Sequence, residues 1–377
     1  MTAVDVGIIG AGPAGIAAGI EAATAGCSVA LFDGHLEPGG QLIKQIHRFF
    51  GSREHRAGVR GIRIAHELWT EAQSLGVQSF LGWEVFGVQS SPSGFRLHAR
   101  LTDDMSVDDQ PISKTVTART LILATGAEEK AINFEGWTLP GVMGAGAAQT
   151  MANVWRVRPG ESVLMIGAGN VGLIVSYHLL QAGIDVAAVL EAAPTIGGYG
   201  VHAAKISRAG IPILTSHSII KALGTEHVTG ALIAQVDPSW NPISGTERKI
   251  DVDSICIAGG LRSNTRLAKL AGCQLAFCRE LGGWLPIHNA QLETTVKGIY
   301  VAGDAAGIEE ASTAIEEGRI AGLVAARSLG RDDKASSDRL DGMKERLSSL
   351  RGGPFCEGIR VAKRRIFDLG EEPCPTA

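Results

Sequence analysis

Cysteine is scarce. The 377 residues hold six, Cys27, Cys256, Cys273, Cys278, Cys356 and Cys374, too few and too scattered for the disulfide framework of a small secreted domain. The apolar start, MTAVDVGIIGAGPAGIAAGI, lacks the basic n-region of a signal peptide and does not read as a secretory signal. No uninterrupted apolar run reaches the roughly 20 residues that span a bilayer. Charge of one sign is lacking too: 35 Lys and Arg stand against 39 Asp and Glu, a net charge of −4. That balance leaves no electrostatic footprint for nucleic acid. There is no Ser/His/Asp arrangement, no HExxH segment and no zinc-type spacing of histidines. The expectation is a cytoplasmic protein with no membrane span, no nucleic-acid partner and no metal, and with no catalytic side chain to single out.

Glycine, in contrast, is abundant at 49 residues, about 13% against roughly 7% in average proteins. Without a collagen period, such an excess signals tight backbone turns. A hydrophobic content of 45% supports sizeable cores, and the length suggests two or three domains.

The chain repeats itself. Residues 4–9 read as a buried strand that runs into Gly10-Ala11-Gly12-Pro13-Ala14-Gly15, an Ala-rich helix, and a second strand ending in Asp33. Residues 162–166, Gly167-Ala168-Gly169-Asn170-Val171-Gly172, a helix, and a strand ending in Glu191 repeat the pattern. The acids fall 23 and 24 residues after the first glycines. Each copy continues as a small antiparallel meander, over about 84–118 and 219–253. Each meander leads into an apolar strand ending in glycine, at Ala124-Thr125-Gly126 and Gly259-Gly260. Another strand ends at Gly303-Asp304, and a helix follows over 311–329. Residues 331–337 read as a polar linker. Tail helices are expected over 339–350 and 357–369, before a frayed end.

A lone GxGxxG is weak evidence in so glycine-rich a chain. Here the strand before, the helix after and the acid beyond are supplied twice. The first glycine allows the tight turn, the second lets backbone approach a pyrophosphate, and the third lets helix pack on strand. The anion sits where free N–H groups and the helix dipole favour it. The strand-end acid accepts from ribose hydroxyls. A carboxylate at Glu191, followed by Ala192-Ala193-Pro194-Thr195 with no Arg or Lys, favours NAD over NADP.

Taken together, GAGPAG (10–15), PGGQL (38–42), LATGA (123–127), GAGNVG (167–172), IAGG (257–260) and YVAGDA (300–305) resemble the two-dinucleotide-binding-domain flavoproteins. These are the FAD-dependent pyridine nucleotide oxidoreductases that include thioredoxin reductase. The resemblance covers residues 4–330. Within it, 139–183 and 191–206 are most similar to the FAD/NAD subunits of dye-linked proline dehydrogenase, opine oxidase, hydrogen cyanide synthase and sarcosine oxidase. The implied fold is α/β, with two Rossmann-like domains, the second inserted in the first, each with a small β-meander, and a helical C-terminal tail. The expected boundaries are a discontinuous FAD domain at 1–140 and 261–330, an NAD domain at 141–260 and a tail at 331–377. The implied FAD site takes Gly10, Gly12, Pro13, Ala14, Gly15, Asp33, Gly34, Gly40, Gln41, Leu42, Ala124, Thr125, Gly126, Gly303 and Asp304. The helix N-terminus near Thr313 and Ala314 would be aimed at the flavin. The implied NAD site takes Gly167, Gly169, Asn170, Val171, Gly172, Glu191, Gly259 and Gly260.

Where thioredoxin reductase carries a CxxC pair, this chain reads Gly144-Ala-Gly-Ala-Ala-Gln149. The C-x₄-C of glutathione-reductase-type enzymes is missing as well, so dithiol chemistry is not expected. Cys273 and Cys278 have that spacing but lie outside both redox positions. Most of the basic run from Lys44 to Arg63 reads as a solvated face. Gln149 and Asn153 read as capping or surface residues, with contact to the flavin as the rival. Glu309 and Glu310 read as helix-start acids. The expected activity is hydride exchange between NAD(H) and flavin, with electrons passing to or from a partner redox subunit or a small acceptor; in place of a partner subunit, a homo-oligomer is the other expectation. The alternatives are a flavoprotein subunit of an amine, imino acid or opine dehydrogenase with a structural second nucleotide, and a non-catalytic relay or assembly subunit.

Overall fold

The apolar runs and glycine turns of both repeats become parallel strands and crossover helices. The computed structural model describes residues 2–49, 52–102, 112–332, 334–353 and 356–371. In chain order come β1 (Thr2–Ile9), α1 (Pro13–Thr24), β2 (Val29–Asp33), α2 (Gly61–Ser74), β3 (Gln78–Leu81), β4 (Trp83–Ser91), β5 (Gly94–Leu101), β6 (Ser113–Leu123) and β7 (Ala127–Glu129). Next are β8 (Val142–Gly144), α3 (Ala145–Thr150), β9 (Ser162–Ile166), α4 (Asn170–Gln181), β10 (Asp185–Glu191), α5 (Gly200–Arg208), β11 (Ile213–Thr215), β12 (His217–Leu223), β13 (Gly230–Gln235), β14 (Arg248–Ile250) and β15 (Ser254–Ile257). The chain ends with β16 (Leu261–Ser263), α6 (Arg266–Leu270), β17 (Leu275–Cys278), β18 (Gly283–Pro286), β19 (Ile299–Val301), α7 (Ala311–Ser328), α8 (Lys334–Leu350) and α9 (Glu357–Glu371).

Two compact units result, one of Met1–Glu128 with Arg262–Ala377 and one of Glu129–Leu261. In the first, β3-β2-β1-β6 run parallel and β19 lies parallel to the end of β6. The start of β6 instead pairs antiparallel with β5, and β5 with β4. Strand β6 is thus shared by the parallel sheet and the meander. In the second unit β11-β10-β9-β15-β8 are all parallel, and β12-β13-β14 form the meander. This is the expected α/β architecture, with two doubly wound sheets and a helical C-terminal end. The second unit begins at Glu129, ahead of the 140/141 boundary expected from sequence. The stretch from 129 to 140 belongs with its meander: Phe134 is buried there among Ile219, Ala222 and Ile233, and the Ala222 amide donates to the Glu135 carbonyl at 2.9 Å.

In the first unit α1 and α7 pack backbone against backbone. A Cβ at Gly318 or Gly322 would run into the carbonyl oxygens of Ala14 and Ala18, so the small residues of both helices set their spacing. The tail departs from expectation at its start. Helix α8 begins at Lys334, inside the stretch read as linker, with Asp332 held by Arg327 and by the Ser336 hydroxyl. The frayed end and Cys374 lie outside the described residues. No helix among the described residues is long and apolar enough to cross a membrane.

Candidate cofactor sites

The turn after β1 has the backbone its glycines were read for. Gly10 is left-handed at φ +108°, and a Cβ there would strike the Ala124 carbonyl. A Cβ at Gly15 would strike the Gly10 carbonyl, while at Gly12 nothing of the protein lies within 4 Å. The turn after β9 repeats this. Gly167 stands at φ +105° against Ala258, Gly172 lies against the Gly167 carbonyl, and Gly169 is open. Both helices start on the open glycine, with no side-chain cap and no acid in the first turn. Each turn therefore presents bare backbone at a positive helix end, the environment that suits a pyrophosphate.

The strand-end acids brace these turns. Asp33 accepts from the Ala11 amide at 2.7 Å and the His35 amide at 2.8 Å. Glu191 accepts from Ala168 at 2.9 Å and Ala193 at 3.0 Å. In the first unit the loop through Gly39 and Gly40 folds onto the same turn. The Gly39 amide donates to Ala11 at 2.7 Å, and a Cβ at Gly40 would come within 2.9 Å of Gly12. Leu42 is buried and Gln41 exposed beside it. Ala124 follows β6 with its amide on Ile9, and the Thr125 hydroxyl donates to Asn264. In the second unit the Asn170 side chain accepts from the Tyr199 amide at 2.8 Å, Val171 is exposed, and Gly260 is left-handed after β15.

Elsewhere the structure departs from what the sequence suggested. Gln149 and Asn153 are buried rather than at the surface, with side-chain nitrogens 3.3 and 3.0 Å from His178 Nδ1. At the start of α3, within the Gly144–Gln149 stretch, Glu129 accepts from the Gly146 amide at 2.8 Å. The nearby Cys256 thiol is pushed up to about 12, by burial first and the Glu129 charge second. In the basic run, His55 is buried with its Nε2 3.2 Å from Glu316, and Arg56 pairs with Glu67.

The Gly303–Asp304 turn is the most heavily built part of the first unit. Gly303 is left-handed, with its amide on Glu317 Oε2 at 2.9 Å. Asp304 follows at the start of a loop leading to α7, whose first turn is uncapped by any side chain and buries Ser312, Thr313 and Ala314. Glu309 is not a helix-start acid. It is buried between Arg351 Nη2 at 2.5 Å and Lys363 Nζ at 3.2 Å. Glu317 takes the same two cations at 2.5 and 2.7 Å. Burial pushes the Asp304 carboxyl up to about 7; the Glu317 and Glu309 charges add to the rise, while the Glu309 amide and Lys363 oppose it. Burial also acts to raise the Glu317 carboxyl, but Lys363 and Arg351 outweigh it and hold the group below its ordinary range. Sequence reasoning missed Arg351, Lys363 and Glu317. The one local signal was the pair of adjacent acids, Glu316-Glu317, inside an Ala-rich helix that is largely buried.

Comparison with known proteins puts these two Rossmann-like units and their paired glycine turns in a class of redox proteins. Residues 4–318 match the family model for pyridine nucleotide-disulphide oxidoreductase, and the chain belongs to that family of FAD-dependent oxidoreductases. An opine oxidase subunit of Agrobacterium tumefaciens (strain Ach5) is 30% identical over 347 residues, covering 86% of this chain and 66% of the relative. Hydrogen cyanide synthase subunit HcnB of Pseudomonas aeruginosa is 27% identical over 365 residues, covering 91% and 75%. L-Proline dehydrogenase from P. horikoshii, a solved structure, shares the fold at TM-score 0.69 and 24% identity, covering 90% of this chain and 59% of that one. The chain thus spans just under two thirds of the opine oxidase subunit.

Proposed function

We propose that this chain binds FAD in its first unit and NAD(H) in its second, exchanges a hydride between them, and passes electrons to or from a partner subunit or small acceptor. One observation carries the reading: two glycine turns of the same geometry, each braced by an acid, with no dithiol beside either. Such cofactors supply hydride transfer themselves, which accords with a chain that shows no side-chain acid or base to assign. The protein's work is to hold and orient. The bare turn and helix end at Gly12 take the FAD pyrophosphate. Asp33 takes ribose, and Asp304 the ribityl hydroxyls. Gly169 and Glu191 act likewise for NAD, and Glu191 repels a 2′-phosphate. Anaerobic titration with NADH tests the reading. The oxidised flavin band should bleach with about one equivalent, as expected for a two-electron exchange. An unchanged band with FAD bound would refute it.

A second reading has support in the relatives, which are named as subunits of an opine oxidase and a hydrogen cyanide synthase. In it, substrate is oxidised at a partner chain and the second site holds a structural nucleotide. A nucleotide that stays bound through dialysis, appears only on denaturation and leaves the flavin oxidised would favour this reading.

A further inference from the structure

We propose that Arg351 and Lys363, both from the C-terminal tail, are positioning residues of the cofactor site: by neutralising Glu309 and Glu317 they set the proton balance of Asp304, the acid that receives the ribityl chain. The inference rests on the reading of the first unit as the FAD site.

Arg351 follows α8 and Lys363 lies on α9, yet both head groups reach the glutamates beside the Gly303–Asp304 turn. Lys363 is 1% exposed and Arg351 8%. Lys363 donates to the Ala306 carbonyl at 3.3 Å, two residues past Asp304, and to Glu317 at 2.7 Å. Arg351 bridges Glu309, through Nε at 2.8 Å, and Glu317. Glu317 in turn holds the Gly303 amide. The tail therefore touches the cofactor acid's own turn through the Glu317 carboxylate and through the Ala306 carbonyl.

Acting on Asp304 are Glu309 from its loop, Glu317 from α7 and Lys363 from α9, while Arg351 from the turn after α8 is held by the two glutamates. The ring of His288 is also buried there; burial and the Lys363 charge push it down to about 3, so it stays neutral. Two cations balance two glutamates, and Asp304 is the odd carboxylate. A buried group without a counter-charge takes up a proton more readily, in keeping with its position near neutrality. Its carboxylate form is the one that accepts from hydroxyl groups. FAD affinity should therefore rise with pH through about 7, and the tail cations should set where.

The test is the dissociation constant of FAD for the stripped 377-residue chain, read from quenching of flavin fluorescence between about pH 5 and 9. Lys363→Met should move the rise upward by about one pH unit, a loss of about tenfold near neutrality. Glu309→Gln should move it downward, Lys363→Met combined with Glu309→Gln should return it towards the wild-type position, and Lys363→Arg should leave it in place. If Lys363→Met does not fold, Glu309→Gln alone decides. Profiles that keep the wild-type shape and differ only by a uniform factor would overturn the inference, leaving the tail a purely structural role. A wild-type protein that takes up no FAD would overturn the underlying FAD reading as well, and that outcome is distinct.

Discussion

At the residue scale, Asp304 and Glu191 carry the sharpest consequences. The Asp304 carboxyl is raised in the folded protein, chiefly by burial, to about 7. A raised carboxyl stabilises the fold at pH values below the ordinary carboxylate range, and that contribution disappears as pH climbs through the folded value. Asp304→Asn should therefore stabilise the cofactor-free protein at about pH 8, by on the order of 3 kcal/mol, and do little at about pH 4. Urea denaturation at the two pH values measures the difference; equal effects at both would refute it. The same substitution should weaken FAD binding in the neutral range, so stability and cofactor retention would move in opposite directions. At Glu191, substitution by Arg or Ser should shift the ratio of kcat/KM for NADH over NADPH towards NADPH by about tenfold or more, since a hydrogen bond to a charged group contributes roughly 1.5–3 kcal/mol. An unmoved ratio would take Glu191 off the ribose.

At the element scale, the α1–α7 pair shows how little room the fold leaves. Gly318 and Gly322 meet backbone carbonyls of α1, and neither neighbour is a side-chain end that can swing away. Gly318→Ala should cost about 1–3 kcal/mol or more through overpacking, seen as a lower urea midpoint with the slope unchanged. Because α7 also carries Glu317 and follows the loop from Asp304, flavin retention should fall in the same variant. The glycine turns were legible in the sequence because their parts are local: strand, glycines, helix and acid fall within one short unit. The ion cluster was not, because Lys363 meets Glu317 across 46 residues of chain and the adjacent acids Glu316-Glu317 do not say which cations meet them. Gln149 and Asn153 were misread for a similar reason. A polar residue on a short helix looks solvated until His178, on another helix, is seen to receive it.

At the scale of the whole molecule, the tail is fastened along its length by charge. Arg339 pairs with Glu21 of α1, Arg346 with the fully buried Glu316 of α7, and Arg351 and Lys363 with Glu309 and Glu317. The buried members of this set matter most, since an exposed pair contributes little while removing one partner of a buried pair costs about 3–5 kcal/mol. Arg346→Ala should leave Glu316 with His55 and Arg319 among the described residues, and should make α8 and α9 more open to proteolysis than in the wild type. Protection of the tail unchanged in that variant would show that apolar packing alone holds it. On the function proposed above, two glycine turns, one in each unit, hold two redox nucleotides that exchange electrons. Anaerobic addition of NADH to the FAD-loaded chain tests it directly. The account predicts loss of the oxidised flavin absorbance in step with NADH consumed, whereas a flavin that stays oxidised under excess NADH would contradict it.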